Sequence, residues 1–264
     1  MDSRQREAIA DLWSRGDRSA LEPFLEFLAA CVVDLVGDGH GRRAVDLATG
    51  SGTVARGLAR RGWAARGVDL CAPALAAAQR QSRSEGLVIG WDEAILEDLP
   101  YTDGYADAIT SSLGIMFSLE PEAAMDEARR CLRSGGVLAL ASLSPSGVVA
   151  DISAVIADHL PPAPRGVADP LEWGDASLVQ GMLGDGFSDV ATAKHTYTWP
   201  VTNAADAVDM LFRVSPVHVK AAEVAGARLE AMCAAVTHRL ERSAASTSAL
   251  TVDIEVSITT ARRV

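Results

Sequence analysis

Two aspartates and two glycines raise the first chemical question of this chain. Asp46 lies in the apolar run RRAVDLA (43–49), Gly50 and Gly52 follow in the turn TGSGT, and Asp69 lies near the end of a second run, AARGVDL (64–70). A glycine turn between an apolar run and a helix-like segment lets a ligand come close to backbone N–H groups. In dinucleotide sites that turn reads G-x-G-x-x-G and cradles a pyrophosphate. Here Ala55 stands in the third glycine's place, and no G-K-[S/T] follows to make a P-loop. Asp46, beside the turn at the carboxyl end of its run, would repel a pyrophosphate and welcome a cation. Asp69, 23 residues on, sits where an acid accepts from the hydroxyls of an adenosine ribose.

The two acids together ask for an adenosine cofactor with no phosphate and with a positively charged end. S-adenosylmethionine (SAM) has both. A short-chain nicotinamide reductase would need a Y-x-x-x-K pair, and none of Tyr101, Tyr105 and Tyr197 has a lysine four residues on.

The elements that must position these residues follow from the pattern. Residues 5–36 read as two amphipathic helices broken near Gly16-Asp17. From residue 43, apolar runs at 43–49, 64–70, 87–93, 105–113 and 136–143 alternate with helical segments at 51–61, 73–85 and 120–133. Strands alternating with helices imply a parallel sheet with right-handed crossovers. After Leu143 come helices at 149–158 and 175–184 around a Pro-rich loop, then a strand (188–199), helices at 203–213 and 217–242, and a last strand (250–260). In that strand Leu250, Val252, Ile254, Val256 and Ile258 share one face.

Composition narrows the function classes. A net charge of -11 argues against a nucleic-acid partner, which clustered Lys and Arg would serve. No apolar run approaches the ~20 residues of a membrane span, and MDSRQREAIADLW lacks the apolar core of a signal peptide, so a cytoplasmic protein without membrane insertion is expected. Cys31, Cys71, Cys131 and Cys233 lie far apart and show no metal-ligand spacing, so no metal is expected.

DLATGSGT resembles the first motif of class I SAM-dependent methyltransferases, and GVDL their acidic second motif. SSLGIMF with LEPEAAMDEARRCLRSGGVLALASL is similar to the fourth-strand loop, helix and fifth strand of the branch related to ubiquinone/menaquinone-biosynthesis methyltransferases. LWSRGDRSAL resembles a segment that folds over the cofactor in many of them, and PPAPRGVADPLEWGDASLVQGML resembles an insertion of the same branch. The resemblance implies an α/β, Rossmann-like fold: a seven-stranded, mostly parallel sheet with an antiparallel last strand, in one domain over 1–264. Residues 1–40 would be a helical lid, 41–143 the SAM-binding core, 144–187 a substrate-side insertion, and 188–264 the remaining strands and helices.

Carried onto this chain, the resemblance places Trp13 over the cofactor and the methionine part against Asp46, Ala48, Gly50 and Gly52. Asp69 would take the ribose, Leu70 and Ile95 would flank the adenine, Leu96 would offer it backbone, and Ser112 and Leu113 would border the methyl group. Family members often carry an aspartate after the third strand for the adenine amino group; Ile95 occupies that place. Asp92, Glu93, a water or backbone at Leu96 would then replace the contact.

Methyl transfer needs alignment and exclusion of water more than a fixed catalytic group. A base is required only for an acceptor that must lose a proton of high pKa. Of the five histidines, His218, at the mouth of a helix after SPV, is the candidate base. Met116, Trp173 and Phe212 are candidate walls for an apolar acceptor. The expected reaction is methylation, at oxygen or carbon, of a small aromatic, quinone-like, polyketide or terpenoid molecule. A SAM-binding protein that catalyses a cyclisation is the alternative, and a homodimer is compatible with either.

Overall fold

The computed structural model describes residues 3–16, 18–162, 168–243 and 250–264. Parts of the W-x-x-G-D and Pro-rich segments, at residue 17 and at 163–167, thus lie outside the described residues. The chain opens with α1 (Ser3–Ser14), a 3-10 turn and α2 (Glu22–Val36). Then follow β1 (Arg43–Leu47), α3 (Thr53–Arg60), β2 (Ala64–Asp69), α4 (Ala72–Ser84), β3 (Gly90–Glu93), β4 (Ala106–Ser112), α5 (Pro121–Cys131) and β5 (Leu132–Leu143). The second half carries α6 (Val148–Asp158), α7 (Ala176–Leu183), β6 (Phe187–Val201), α8 (Ala204–Val214), α9 (Pro216–Ala225), α10 (Leu229–Ser243) and β7 (Leu250–Arg263). No helix among the described residues is long and apolar enough to cross a membrane.

The strands form one seven-stranded sheet in the order β3-β2-β1-β4-β5-β7-β6. Pairing is parallel from β3 through β5, and β7 runs antiparallel to both β5 and β6. This is the expected sheet, with the last strand reversed. β3 starts later than the run 87–93 suggests, because Leu87 caps the turn after α4 through its N–H to the Ser82 carbonyl and Val88 is 94% exposed.

The two faces of the sheet are built from residues of different size. Ala44, Ala65, Ala108, Ala139 and Ala141 face α2 and α3, joining Val32, Val33, Val36, Val54 and Leu58 in one buried cluster. Val45, Leu47, Val68, Ile109, Leu138 and Leu140 point the other way, against α5 and α7. Successive side chains of a strand alternate faces, so the alanines let two helices lie close while the larger residues fill the opposite layer. α6, α8, α9 and α10 make a third cluster around Met232, Val236 and Ile156.

Three expectations change. α2 is a layer of the core rather than part of a lid, because its apolar face is buried against the sheet; α1, the following turn and only the first turn of α2 line the cavity described below. The insertion 144–187 divides: α6 stands on the cavity side, whereas Leu171, Trp173, Val179 and Leu183 complete the core over the α5 face. The helix expected over 217–242 is two helices, broken at Gly226, whose φ of +52° ends α9. A glycine at positive φ stops a helix even where apolar spacing continues through it.

Candidate functional site

β1 and β4 lie side by side while their crossovers run in opposite directions, a switch point where α/β sheets bind ligands at the carboxyl ends of strands. A cavity of about 350 Å³ opens there.

Asp46 enters it from β1 and is only 2% exposed. Thr49 Oγ1 donates to Asp46 Oδ2 at 2.5 Å and Thr110 Oγ1 to Oδ1 at 2.8 Å. Burial pushes this carboxyl up to about 7; the Thr49 and Thr110 hydroxyls pull it back, the nearby Asp69 charge raises it, and the Ala55 backbone amide lowers it. A group so balanced gains from a cation in the cavity.

Asp69 stands at the end of β2. Its Oδ2 accepts from the Gly50 N–H and its Oδ1 from the Cys71 N–H, both at 2.8 Å. A carboxylate offers about four acceptor sites, so the two backbone bonds fix its orientation and leave lone pairs for a ligand. Gly50 and Ala48 line the cavity, and Gly50 turns at φ +53°. Gly52 does not line it. A Cβ there would come within 2.4 Å of the Trp91 ring, so this glycine serves packing of the turn on β3 rather than approach to a ligand.

Ala48 and Leu113, each just past the end of a strand, hold φ of +48° and +60°. Such non-glycine backbone costs about 1–3 kcal/mol per residue and persists only where neighbours enforce it. Leu113 N–H donates to the Ala141 carbonyl at 2.9 Å, and Ser111 Oγ bridges the Leu47 carbonyl and the Ile115 N–H at 2.9 and 3.0 Å. Both strained residues line the cavity, as does Ser112, whose buried Oγ has no hydrogen-bond partner among the described residues.

Leu70, Ile95 and Leu96 form the wall beyond Asp69. Asp92 does not stand in for the acid absent at Ile95: Arg66 holds it at 2.6 and 2.7 Å and the Tyr101 hydroxyl at 2.7 Å, away from the cavity. Glu93 is exposed outside the cavity as well. The acid that lines this wall is Glu97, which accepts from Ser118 Oγ at 2.7 Å. Trp13 closes over the mouth from α1, its ring 4.7 Å edge-on from that of Phe117.

The other end is apolar. Phe24 of α2, Leu143 of β5, Val149 of α6, Trp199 of β6 and Ile254 of β7 line it and pack in one cluster with Leu113. His218 faces the cavity from the first turn of α9, its ring edge-on to Phe212 with centroids 5.9 Å apart. Burial lowers its pKa to about 4, so the ring is neutral near pH 7 and a weak base. The expected substrate walls lie elsewhere. Met116 and Trp173 are 3% and 4% exposed in the core under the sheet, and Phe212 packs behind Leu211 and His218. Met116 and Trp173 stand in short 3-10 turns that face the nearer layer, the α5–α7 core, and Phe212 turns toward the α6–α10 cluster.

Sequence reasoning missed Thr49, Thr110 and Glu97 as well as most of the apolar end. Thr49 was inside the quoted motif; Thr110, 64 residues from its partner, carried no local signal.

Residues 45–140 match the family model of a methyltransferase domain. An uncharacterized protein of Mycobacterium tuberculosis is 32% identical over 188 residues, 71% of this chain and 69% of its own. The demethylmenaquinone methyltransferase of Thermus thermophilus is 36% identical over 115 residues, 43% of this chain and 52% of that protein. The crystal structure of the Bacillus subtilis YcgJ protein superposes with a TM-score of 0.63 at 14% identity, covering 90% of this chain and 98% of the other. With the glycine turn, the two strand-end acids and the seven-stranded sheet in place, the chain belongs to the class I SAM-dependent methyltransferases.

Proposed function

We propose that this methyltransferase acts on a small, largely apolar acceptor, of an aromatic, quinone-like, polyketide or terpenoid kind, at oxygen or carbon. The observation that carries the reading is the cavity's two unlike ends. Asp46, Asp69 and Glu97 give one end its acids, and Phe24, Leu143, Val149, Trp199 and Ile254 give the other an apolar wall. The quinone-like option draws support from the Thermus thermophilus relative.

In this reading Asp69 holds the ribose hydroxyls, and Asp46 with the backbone at Ala48 and Gly50 holds the cationic methionine end. Leu70 and Ile95 flank the adenine and Leu96 offers it backbone, with Glu97 as the acid lining that wall. When bound, SAM supplies an electrophilic methyl group. The chain's own part is orientation and exclusion of water: Trp13 and Phe117 cover the mouth, and Ser112 and Leu113 shape the junction of the two ends. The net charge of -11 suits a small-molecule acceptor better than a nucleic acid, as for a tailoring enzyme of secondary metabolism in the cytoplasm.

Incubation with SAM and a panel of naphthols, hydroquinones and terpenoid alcohols, followed by mass spectrometry, tests the reading. It expects a product heavier by one methyl in place of hydrogen, with S-adenosylhomocysteine formed in equal amount. A product of unchanged mass would mean a rearrangement or cyclisation, and no product from any apolar acceptor would refute the substrate class.

A further inference from the structure

Arg56 of α3 is 3% exposed, the only buried basic residue among the described residues. Its guanidinium joins three segments. Nη1 donates to the Ser51 carbonyl at 2.5 Å, Nη2 lies 3.4 Å from Glu22 Oε1 in the first turn of α2, and Nε lies 3.2 Å from Glu85 Oε1 just past α4. Stability alone does not account for this arrangement. A cation at the fourth position of a helix works against the positive end of the helix dipole, and a buried ion pair is often matched or bettered by apolar side chains of similar size. We propose that Arg56 is a positioning residue: through the Ser51 carbonyl it holds the cofactor turn in the shape that receives SAM.

The turn needs such a hold at its middle. Thr49 N–H donates to the Val68 carbonyl at 2.9 Å and Gly50 N–H to Asp69 Oδ2 at 2.8 Å, which tie its start to β2. Gly52 N–H closes it on the Thr49 carbonyl at 2.8 Å. Ser51 lines the cavity between Gly50 and Gly52, whose φ values are +53° and +74°. Glycines on both sides leave the intervening peptides free to rotate. Arg56 removes that freedom at the Ser51–Gly52 peptide: the oxygen accepts from Nη1 while the N–H is held by Thr49. Arg56 does not itself line the cavity, so it acts on a ligand only through the turn. Glu22 and Glu85 neutralise the guanidinium and aim it, and Glu85 is fixed in turn by Arg60 and by Gln81.

This inference rests on the reading that the turn receives the methionine end, and the test separates the two. Arg56→Met fills the same space and removes the donors. Glu85 keeps Arg60, and the Glu22 side chain is 38% exposed, so the variant should fold and melt close to the unaltered chain. S-adenosylhomocysteine, titrated calorimetrically, should bind it about tenfold more weakly. Amide hydrogen exchange gives the signature that a merely structural role would not. Without ligand, the Gly52 amide should exchange slowly in the unaltered chain and about tenfold faster in Arg56→Met, while the amides of β1 and β4 keep their rates. A Gly52 amide unprotected in the unaltered chain before the ligand binds would overturn the proposal, whether or not the variant folds. So would equal affinities of the two chains, or a loss of affinity accompanied by faster exchange throughout β1 and β4. Failure of S-adenosylhomocysteine to bind the unaltered chain would refute the turn as the cofactor's place, and the work assigned to Arg56 with it.

Discussion

Asp46 and Asp69 are both acids at strand ends, yet their surroundings give them opposite work. Asp69 is oriented by two backbone N–H groups and stays open to the cavity, whereas Asp46 is buried with two threonine hydroxyls. Because burial raises the Asp46 carboxyl from 3.8 to about 7, the folded chain keeps a proton there that the unfolded chain has lost across that window. Folding therefore loses stability as pH rises from about 4 to about 7 and no further above it. Binding of a cationic ligand expels the proton, so SAM affinity should rise with pH up to about 7 and then level off. Asp46→Asn should remove both slopes, as melting curves and calorimetry across this range would show, and a variant retaining the slopes would assign them to another group. Asp69→Ala should weaken S-adenosylhomocysteine by about one to two decades, the worth of a hydrogen bond to a charged group. Both acids were legible in the sequence because a strand end is a fixed place in this topology. His218 was legible as a residue near the substrate but not as a weak base, since its pKa depends on neighbours distant in the chain.

At the scale of elements, the cavity is closed by pieces from opposite ends of the sequence. Arg15, just after α1, pairs with Glu223 of α9 at 2.5 and 2.6 Å and with Asp11 of its own helix at 2.6 Å. Exposed pairs add little to stability and are screened by salt. Glu223→Gln should therefore leave the melting temperature nearly unmoved while speeding release of S-adenosylhomocysteine in stopped-flow, and added salt should speed release in the parent chain but not in the variant. Equal release rates would show that this pair does not hold α1 over the mouth. The break at Gly226 belongs to the same scale. Its Cβ position is open, so Gly226→Ala meets no clash and the cost is backbone alone, about 1–3 kcal/mol at this φ and ψ. Apolar spacing continues across that glycine, which is why periodicity reads one helix where the backbone makes two.

Across the whole molecule, the alternation of strands and helices was enough to read a parallel sheet, because a crossover between parallel strands needs a helix's length of chain. The place of β7 between β5 and β6 was not readable from alternation, which says which residues share a face and not which strand lies beside which. Nor did it show that five alanines would draw α2 into the core and leave α1 as the cover. The resulting arrangement ties the cofactor end to β1, β2 and β4 at the middle of the sheet, while the cover and the apolar end come from α1, α2, α6, α8 and α9 with β5, β6 and β7. A ligand bridging these parts should stabilise them as one unit rather than the central strands alone. S-adenosylhomocysteine at a hundredfold its dissociation constant stabilises a folded state by about 2.7 kcal/mol, which for a chain of this size corresponds to roughly 5–10 °C in melting temperature. Scanning calorimetry should show a single transition that moves by this amount, and at the same ligand concentration Asp69→Ala should move far less. A transition that splits on addition of ligand, with its lower part unmoved, would mean that the helices around the acceptor end melt independently of the sheet that holds the cofactor.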